Sequence, residues 1–329
     1  MVRFEMNIIA HNIYASIDIG TNSTLLLVAE YRDGRFHPIR NEVEITRLGQ
    51  DVGKTGRLHP DAMERTFDTL KRYRTICDEV GANETIIGGT SAMRDAANGE
   101  EFINRVKNEL DWDIRLLTGD DEAQLTFLAT QQEFSDVSGD LLVVDIGGGS
   151  TEFIFGNTNE FRFARSLDIG TVRFTESMIK NDPPGETELQ SASKAIRVQL
   201  ATELSDLQIS AEETTLIGVA GTVTTLLAVE KEMATYIPED IHKQPLTIDE
   251  IEDLLVLFCS MSLEERKQIP GLQPKRADVI IMGALIQLEI MRHFGFDELL
   301  VNDRGVRYGL LYELMETETG DRRQETGKE

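Results

Sequence analysis

The sequence predicts an α/β protein of two related domains that face one another. Its 329 residues suffice for two domains of ordinary size. The string D-I-G-x-x-S-T occurs twice, starting at Asp18 and at Asp145, and each copy lies between two short apolar runs. Segments with strand and helix patterns alternate along the rest of the chain, which is typical of an α/β fold.

The first half of the chain is predicted to hold one hairpin followed by alternating helices and strands. Residues 14–30 form the hairpin, because two apolar runs flank a loop of small residues. Apolar residues at helical spacing between Pro60 and Gly81 predict a helix over residues 59–80. The further elements predicted here are a strand at 85–88, a helix at 100–110, a strand at 113–117 and a helix at 120–133.

The second half is predicted to repeat this arrangement. Residues 141–156 form the second hairpin, and a strand at 215–218 runs into a turn at Gly221 and a helix to about residue 233. The other predicted elements are strands at 162–167 and 299–302 and helices at 188–207, 247–261, 275–293 and 305–316.

A polar stretch at residues 134–139 marks the predicted boundary between the domains. We therefore predict a first domain over residues 1–136 and a second over residues 137–302. The C-terminal helix, over about residues 303–318, is expected to pack back on the first domain. Residues 319–329 are expected to form a polar tail.

Charge and composition exclude several classes of protein. With 58 acidic and 33 basic residues, the net charge is −25, which argues against a protein that coats nucleic acid or an anionic membrane. The longest apolar run, residues 279–286, is far shorter than the roughly 20 residues that span a bilayer. Cys77 and Cys259 have no Cys or His nearby at metal-ligand spacing, which predicts a reducing, cytoplasmic location.

Two loops of small residues, one at each hairpin tip, are candidate phosphate-binding sites. The first reads Gly-Thr-Asn-Ser-Thr over residues 20–24, and the second reads Gly-Gly-Gly-Ser-Thr over residues 147–151. Such turns let backbone N–H groups approach an anion closely, and the hydroxyl groups add donors. Neither loop is a Walker A or a GxGxxG motif. An ordinary hairpin turn is the alternative for each.

Carboxylates accompany both loops. Asp18 and Asp145 each precede a loop at the end of an apolar strand, and Glu152 follows the second loop. A carboxylate beside a bound phosphate repels it unless a cation lies between them, and Mg²⁺ held through one or two carboxylates meets that need. The alternative for each aspartate is a turn residue that bonds its own backbone.

Three other positions carry candidate chemistry. Arg94 follows a strand and is able to bind a phosphate with two hydrogen bonds, although a surface ion pair is the alternative. Glu122 is the last of three acidic residues at a helix start, where capping is the alternative. Gly221 lies in a third strand-to-helix turn of small residues, which is a further candidate anion or nucleotide site.

In this order, the motifs resemble those of the exopolyphosphatase / guanosine pentaphosphate phosphatase family. The resemblance extends from Tyr14 to about Leu314 and rests on the segments DIGTNS, TSAMRDAAN, GDDEA, DIGGGSTE, GTVRFTE, GVAGTVTT, KRADVIIMGA and DRGVRYGLL. It implies two facing RNase H-like domains of the superfamily that includes actin, sugar kinases and heat-shock chaperones. The length fits the short, two-domain form of the family.

The resemblance also implies roles for single residues. Glu122 matches the general base of the family, although Asp121 stands before it where the family has glutamate. Asp145 and Glu152 match carboxylates that bind metal and activate water, with Asp18 a further candidate metal ligand, and Arg94 matches an arginine that grips substrate. The matching phosphate-binding positions are Thr21, Asn22, Ser23, Gly147, Gly148, Gly149, Ser150, Gly221 and Thr222. Two arginines without a firm role, Arg276 and Arg307, also lie in family motifs.

The sequence thus predicts an exopolyphosphatase that removes the terminal phosphate of inorganic polyphosphate by Mg²⁺-assisted attack of an in-line water. A guanosine pentaphosphate phosphatase with the same residues, a kinase or ATPase of the superfamily, and a regulator that binds polyphosphate or nucleotide without hydrolysis are the alternatives. A monovalent cation is a second candidate ion. A homodimer is compatible with the resemblance, and neither nucleic acid nor a membrane is expected as a partner.

Overall fold

The computed structural model describes residues 12–326, with the side chains of residues 12–317, and contains two mixed β-sheets. The first sheet has the strand order β3-β2-β1-β4-β5. Its strands are β1 (Ile13–Ile19), β2 (Thr24–Arg32), β3 (Arg35–Glu44), β4 (Glu84–Gly89) and β5 (Arg115–Leu116).

The second sheet repeats that order and adds one edge strand. Its strands are β6 (Asp140–Ile146), β7 (Thr151–Gly156), β8 (Phe161–Leu167), β9 (Thr214–Val219), β10 (Pro245–Thr247) and β11 (Glu298–Asn302), in the order β10-β11-β9-β6-β7-β8. In each sheet the first hairpin strand pairs antiparallel with its partner and parallel with a later strand, as β1 does with β2 and β4, and β6 with β7 and β9. This duplicated topology confirms the predicted fold class of two RNase H-like units.

Helices cover both sheets. They are α1 (Val52–Thr55), α2 (Pro60–Val80), α3 (Ser91–Asp95), α4 (Gly99–Leu110), α5 (Gly119–Glu133), α6 (Thr171–Met178), α7 (Glu186–Glu203), α8 (Ala220–Glu230), α9 (Ile248–Cys259), α10 (Leu263–Arg266), α11 (Ile280–Phe294) and α12 (Val306–Thr326). One core joins Phe67 of α2 and Phe102 of α4 to the first sheet. A larger core joins α8 and α11 to Val144 and Phe153 of the second sheet. Each hairpin is therefore held by buried apolar packing, which fixes the position of its tip.

Helix α5 contacts elements of both halves. It packs against α12, and it also contacts β7 and β8 of the second sheet. Phe127 of α5 joins a core with Ile154 of β7, whereas Ala129 joins another with Tyr14 of β1 and Leu311 of α12. The start of α5, where Glu122 lies, is thus placed between the two halves. Helix α12 also packs against β1. The predicted domain limits at residues 136 and 302 stay predictions.

Several predicted elements differ from those in the structure. Strand β3 escapes prediction because it is a mostly polar edge strand with Pro38 beside a β-bulge, so it lacks apolar alternation. The helix predicted over residues 275–293 begins only at Ile280, because Pro274–Arg276 forms a 3-10 turn first. The last helix begins at Val306 and continues to Thr326, past its predicted end, because polar residues such as Glu and Arg sustain a helix well.

Over residues 12–326 we find no helix with both the length and the apolarity needed to cross a membrane. Helix α11 is the most deeply buried, but it has 15 residues. Within the described part of the chain, both Cys77 and Cys259 are free thiols.

Candidate active site

The tips of the two hairpins meet at one cavity of about 500 Å³. Asp18, Thr21, Asn22 and Ser23 of the first hairpin line the cavity. The second hairpin contributes Asp145, Gly147, Gly148, Gly149, Ser150 and Glu152. Glu122, Gly221, Thr222, Arg276 and Arg307 complete the set of lining residues that the sequence singled out. The structure therefore brings together all the predicted site residues except Arg94. That residue is not part of the described lining but donates a hydrogen bond to Glu122, which is.

Both loops adopt the same tight turn. The backbone N–H of Gly20 donates to the carbonyl of Ser23 at 2.8 Å, and that of Gly147 donates to Ser150 at 2.9 Å. The backbone N–H groups of residues 21–23 and 148–150 have no acceptor among the described residues. Unpaired N–H groups at two facing turns are the donors that an oxyanion requires.

The two loops touch, which explains their small residues. A Cβ on Gly148 would lie 3.1 Å from Cβ of Thr21, and a Cβ on Gly149 would lie 2.9 Å from Oγ of Ser91. Thr21 and Ser91 share a hydrogen bond of 2.9 Å between their hydroxyl groups. A side chain on either glycine would therefore push the loops apart.

The first turn of α6 fixes the second loop from behind. The N–H groups of Thr171 and Val172 donate to the carbonyls of Gly147 and Gly148 at 3.0 and 2.9 Å. A Cβ on Gly170 would overlap the backbone of Gly148. The carbonyl groups of Gly147 and Gly148 thus accept hydrogen bonds from α6, which fixes the loop on that side.

Five carboxylates line the same cavity, those of Asp18, Glu122, Asp145, Glu152 and Asp303. Asp145 and Glu152 are direct cross-strand partners in the β6–β7 hairpin, and Glu152 is buried. Burial, with the charges of Glu152 and Asp18, raises the pKa of Asp145 well above its usual value. Burial also raises the pKa of Asp18 to about 6, against the opposing charge of Arg307. The carboxylates thus repel one another, and a cation or a proton would relieve them.

Glu122 lines the cavity and does not cap its helix. Thr118 and Asp121 form a reciprocal capping box at the start of α5, so Glu122 is not needed as a cap. Its side chain is only 12% exposed, and Oε1 accepts a 3.1 Å hydrogen bond from Nη1 of Arg94. Burial, with the charges of Glu152 and Asp18, raises the pKa of Glu122, whereas Arg94 lowers it.

Arg94 supports Glu122 in this conformation. Its Nη1 donates both to Oε1 of Glu122 and, at 2.6 Å, to the carbonyl of Leu117. The ion-pair alternative is therefore realised, because Arg94 pairs with the site residue Glu122 and, at 3.7 Å, with the exposed Asp95. Binding of substrate by Arg94 stays a prediction.

Two arginines form the cationic side of the cavity. The guanidinium of Arg276 lies against Gly221, and burial lowers its pKa to about 10. Among the described residues Arg276 has no carboxylate within ion-pair distance. Arg307 is buried and donates to the side chain of Asn41. A partly buried guanidinium without a carboxylate partner, beside the glycine turn of α8, favours an anionic ligand at this point.

The donor set is compatible with Mg²⁺ but holds no ready-made metal cage. Among the described residues no group of three or more His, Cys, Asp or Glu side chains is arranged to hold a metal ion. Mg²⁺ commonly binds through one or two carboxylates and completes its shell with water and substrate phosphate. The buried Oδ1 of Asp18 has no hydrogen-bond partner in the structure, and Asp145 is crowded by like charge. Both features fit a cation between these aspartates.

Sequence reasoning missed several residues at the site. Ser91 joins the two loops, and the hydroxyl of Tyr236 donates to Oδ1 of Asp303 at the cavity wall. Asp303 is the first residue of the segment DRGVRYGLL, from which the sequence analysis singled out only Arg307. Tyr236 lies in a segment without a periodic pattern, so nothing in the sequence marks it.

A family model described as the Ppx/GppA phosphatase family matches residues 27–318. The chain belongs to this family. A bifunctional 3-dehydroquinate synthase/phosphatase of Fusobacterium nucleatum is 39% identical over 315 residues, which cover 92% of the chain and 46% of that relative. Exopolyphosphatase 2 of Mycobacterium tuberculosis is 33% identical over 313 residues, covering 91% of the chain and 98% of the relative.

A solved structure of a Ppx/GppA family member agrees with the fold. The Aquifex aeolicus protein superposes with a TM-score of 0.79 at 36% identity, over 93% of this chain and 98% of that one. The chain thus spans about half the length of the Fusobacterium nucleatum relative and nearly all of the Mycobacterium tuberculosis and Aquifex aeolicus proteins. The predicted enzyme class, a phosphoric anhydride hydrolase, is confirmed at the level of the Ppx/GppA family.

Proposed function

We propose that this Ppx/GppA protein is an exopolyphosphatase that hydrolyses the terminal phosphate of inorganic polyphosphate. The observation that carries the proposal is the pair of facing loops whose N–H groups at residues 21–23 and 148–150 lack acceptors among the described residues. Two carboxylates, Glu122 and Glu152, line the same cavity. The full-length relative named exopolyphosphatase supports polyphosphate as the substrate.

In this proposal the terminal phosphoryl group lies between the two loops. Backbone N–H groups on both sides stabilise charge on its equatorial oxygens, which is the main requirement of phosphoryl transfer. The following phosphates extend towards Arg276, whose guanidinium has no ion-pair partner among the described residues. The narrow, two-sided cradle favours a chain end over the middle of a polymer.

Glu122 is the proposed general base. Burial and the neighbouring carboxylates raise the pKa of Glu122 to about 9, so this residue accepts a proton at neutral pH only when a bound cation offsets their charge. Arg94 holds its carboxyl group at 3.1 Å in a defined orientation. Glu152 lies on the other side of the proposed water position and accepts a 2.7 Å hydrogen bond from Ser166. Direct attack by water needs no covalent intermediate on the protein.

We propose Mg²⁺ as the cofactor, held by Asp145 and Asp18 with Glu152 close by. When bound, Mg²⁺ supplies positive charge that offsets these carboxylates and polarises the phosphoryl oxygens. A cytoplasmic location is proposed from the two free thiols, and a homodimer remains a proposal that light scattering would test.

A guanosine pentaphosphate phosphatase is the second candidate, and Tyr236 with Asp303 favours it. Both line the cavity, and Tyr236 is 41% exposed. An aspartate accepts hydrogen bonds from the N–H groups of guanine, and an aromatic ring stacks on a base. A polyphosphate chain would gain nothing from either group.

The deciding experiment measures phosphate release from long polyphosphate, short polyphosphate and guanosine pentaphosphate, each with Mg²⁺ and with a chelator. We expect release from polyphosphate that stops with the chelator and returns with Mg²⁺. Release from guanosine pentaphosphate alone would replace the proposal with the second candidate. Ligand binding without release from any of them would favour a regulator.

The variant Glu122→Gln tests the role of the base. General bases contribute roughly 10²–10⁴ in rate, so kcat should fall by about 100-fold or more while polyphosphate still binds. The matched control is Asp120→Asn, which removes an exposed carboxylate two residues away on the same helix. Wild-type turnover in Glu122→Gln would show that Glu122 is not the base.

A further inference from the structure

We infer that Ser166 is a positioning residue of the active site, which holds the Glu152 carboxylate and sets its distance from the start of α5. This inference rests on the proposed function. Ser166 lies on β8, outside every motif that the sequence analysis identified. Nothing in its sequence context marks it as functional.

The first observation is a direct contact with Glu152. The two residues are register partners across the β7–β8 pair, so their Cβ atoms stand roughly 5 Å apart. At that separation a serine is long enough to reach the carboxylate. Its Oγ donates to Oε1 of Glu152 at 2.7 Å, a short, charge-assisted hydrogen bond. Glu152 has no salt-bridge partner among the described residues, so neutral donors must orient it.

The second observation places Ser166 against α5. A Cβ on Gly119, the first residue of that helix, would lie 2.9 Å from Cβ of Ser166. Backbone and side chain are therefore in tight contact at this point. Glu122 comes three residues later, in the first turn of the same helix. Ser166 thus touches Glu152 directly and the helix start that carries Glu122.

Solvent exposure makes this arrangement informative. Ser166 is itself an exposed residue of β8, where a hydroxyl group is free to bind water instead. Its hydroxyl is nevertheless committed to a buried carboxylate of the cavity. Loss of the hydroxyl should leave folding intact and let the Glu152 carboxylate rotate away from the reacting water.

The test compares Ser166→Ala with the wild type in phosphate release from polyphosphate. A hydrogen bond to a charged group is worth roughly tenfold in rate, so kcat should fall about tenfold while KM changes less than about twofold. The matched control is Ser191→Ala on α7, whose hydroxyl donates to the carbonyl of Thr187 in its own helix. Gly119→Ala, which crowds the same contact from the other side, should also lower kcat.

A double-mutant cycle separates positioning from a general structural role. If Ser166 acts through Glu152, then Ser166→Ala should cause no further loss in a Glu152→Gln background. An equal loss in both backgrounds, or an unchanged kcat in Ser166→Ala alone, would overturn the inference and leave the proposed function standing. Failure of the wild type to release phosphate would overturn both.

Discussion

A buried carboxylate, Glu133, should stabilise the joint between the two halves of the protein. It lies at the end of α5 and is 3% exposed. Oε2 contacts Nη1 of Arg304 at 2.5 Å, and Oε1 accepts a 3.2 Å hydrogen bond from the hydroxyl of Tyr312 on α12. His242 stands 3.6 Å away, beyond hydrogen-bond length.

The magnitude follows from the ionisation of Glu133. Burial alone would raise its pKa, but His242 and the Arg304 guanidinium outweigh burial and lower it from 4.5 to about 2. Each pH unit of this difference is worth 1.36 kcal/mol, so the ionised carboxylate contributes about 3 kcal/mol at neutral pH. We therefore expect Glu133→Gln to lower the free energy of unfolding by about 3 kcal/mol.

Urea-induced unfolding followed by circular dichroism measures this difference without adding salt. The matched control is Glu313→Gln, which breaks a 2.6 Å ion pair with Arg115 between two side chains that are 40% and 43% exposed. Exposed pairs are worth about 0–1 kcal/mol, so the control should change little. Equal effects in the two variants would refute the claim that burial makes Glu133 special.

The pH dependence has a definite sign. Since the folded-state pKa is depressed, the stabilisation is fully present above the unfolded value of 4.5 and is lost as pH falls towards about 2. The gap between the wild type and Glu133→Gln should therefore hold between about pH 7 and about pH 6. It should then shrink below about pH 4.5, and a gap that widened in acid would contradict the assignment.

Two further variants test the geometry of the cavity. Gly170→Ala should lower both stability and kcat, because the new Cβ overlaps the backbone of the second loop, whereas Gly53→Ala has open space and should change neither in assays of melting temperature and phosphate release. Asp303→Asn removes one carboxylate from the cavity wall, so KM for polyphosphate should fall by roughly 3–10-fold while KM for guanosine pentaphosphate rises. A shift of both KM values in the same direction would show that Asp303 does not distinguish the two substrates.

The hairpin tips could be predicted because their signal is local. A strand that ends in aspartate and runs into a loop of small residues reads the same at Asp18 and at Asp145, and duplication doubles the signal. The structure places both loops on one cavity. No long-range information was needed to find them, since the strands, the turn and the chemistry adjoin in sequence.

Other site residues depend on contacts that no local pattern encodes. Arg94 meets Glu122 only because α3 and the start of α5 converge. Ser166 reaches Glu152 only through the register of β7 and β8, and a slip of one residue would turn it to the opposite face. Tyr236 comes to the cavity from a segment without periodicity. These residues reach the site through strand pairing, helix packing and loop conformation, which no local sequence pattern predicts.

The cavity has an excess of acidic groups, as does the whole chain with its net charge of −25. The described cavity lining holds five carboxylates, those of Asp18, Glu122, Asp145, Glu152 and Asp303, against two guanidinium groups. A polyanion would therefore enter a cavity that is itself formally negative. Neutral backbone N–H groups do not reverse that sign, because they add dipoles and no net charge. A bound cation is therefore the central requirement of the proposed reaction. Removal of Mg²⁺ should weaken the binding of polyphosphate more than the replacement of any single basic side chain does.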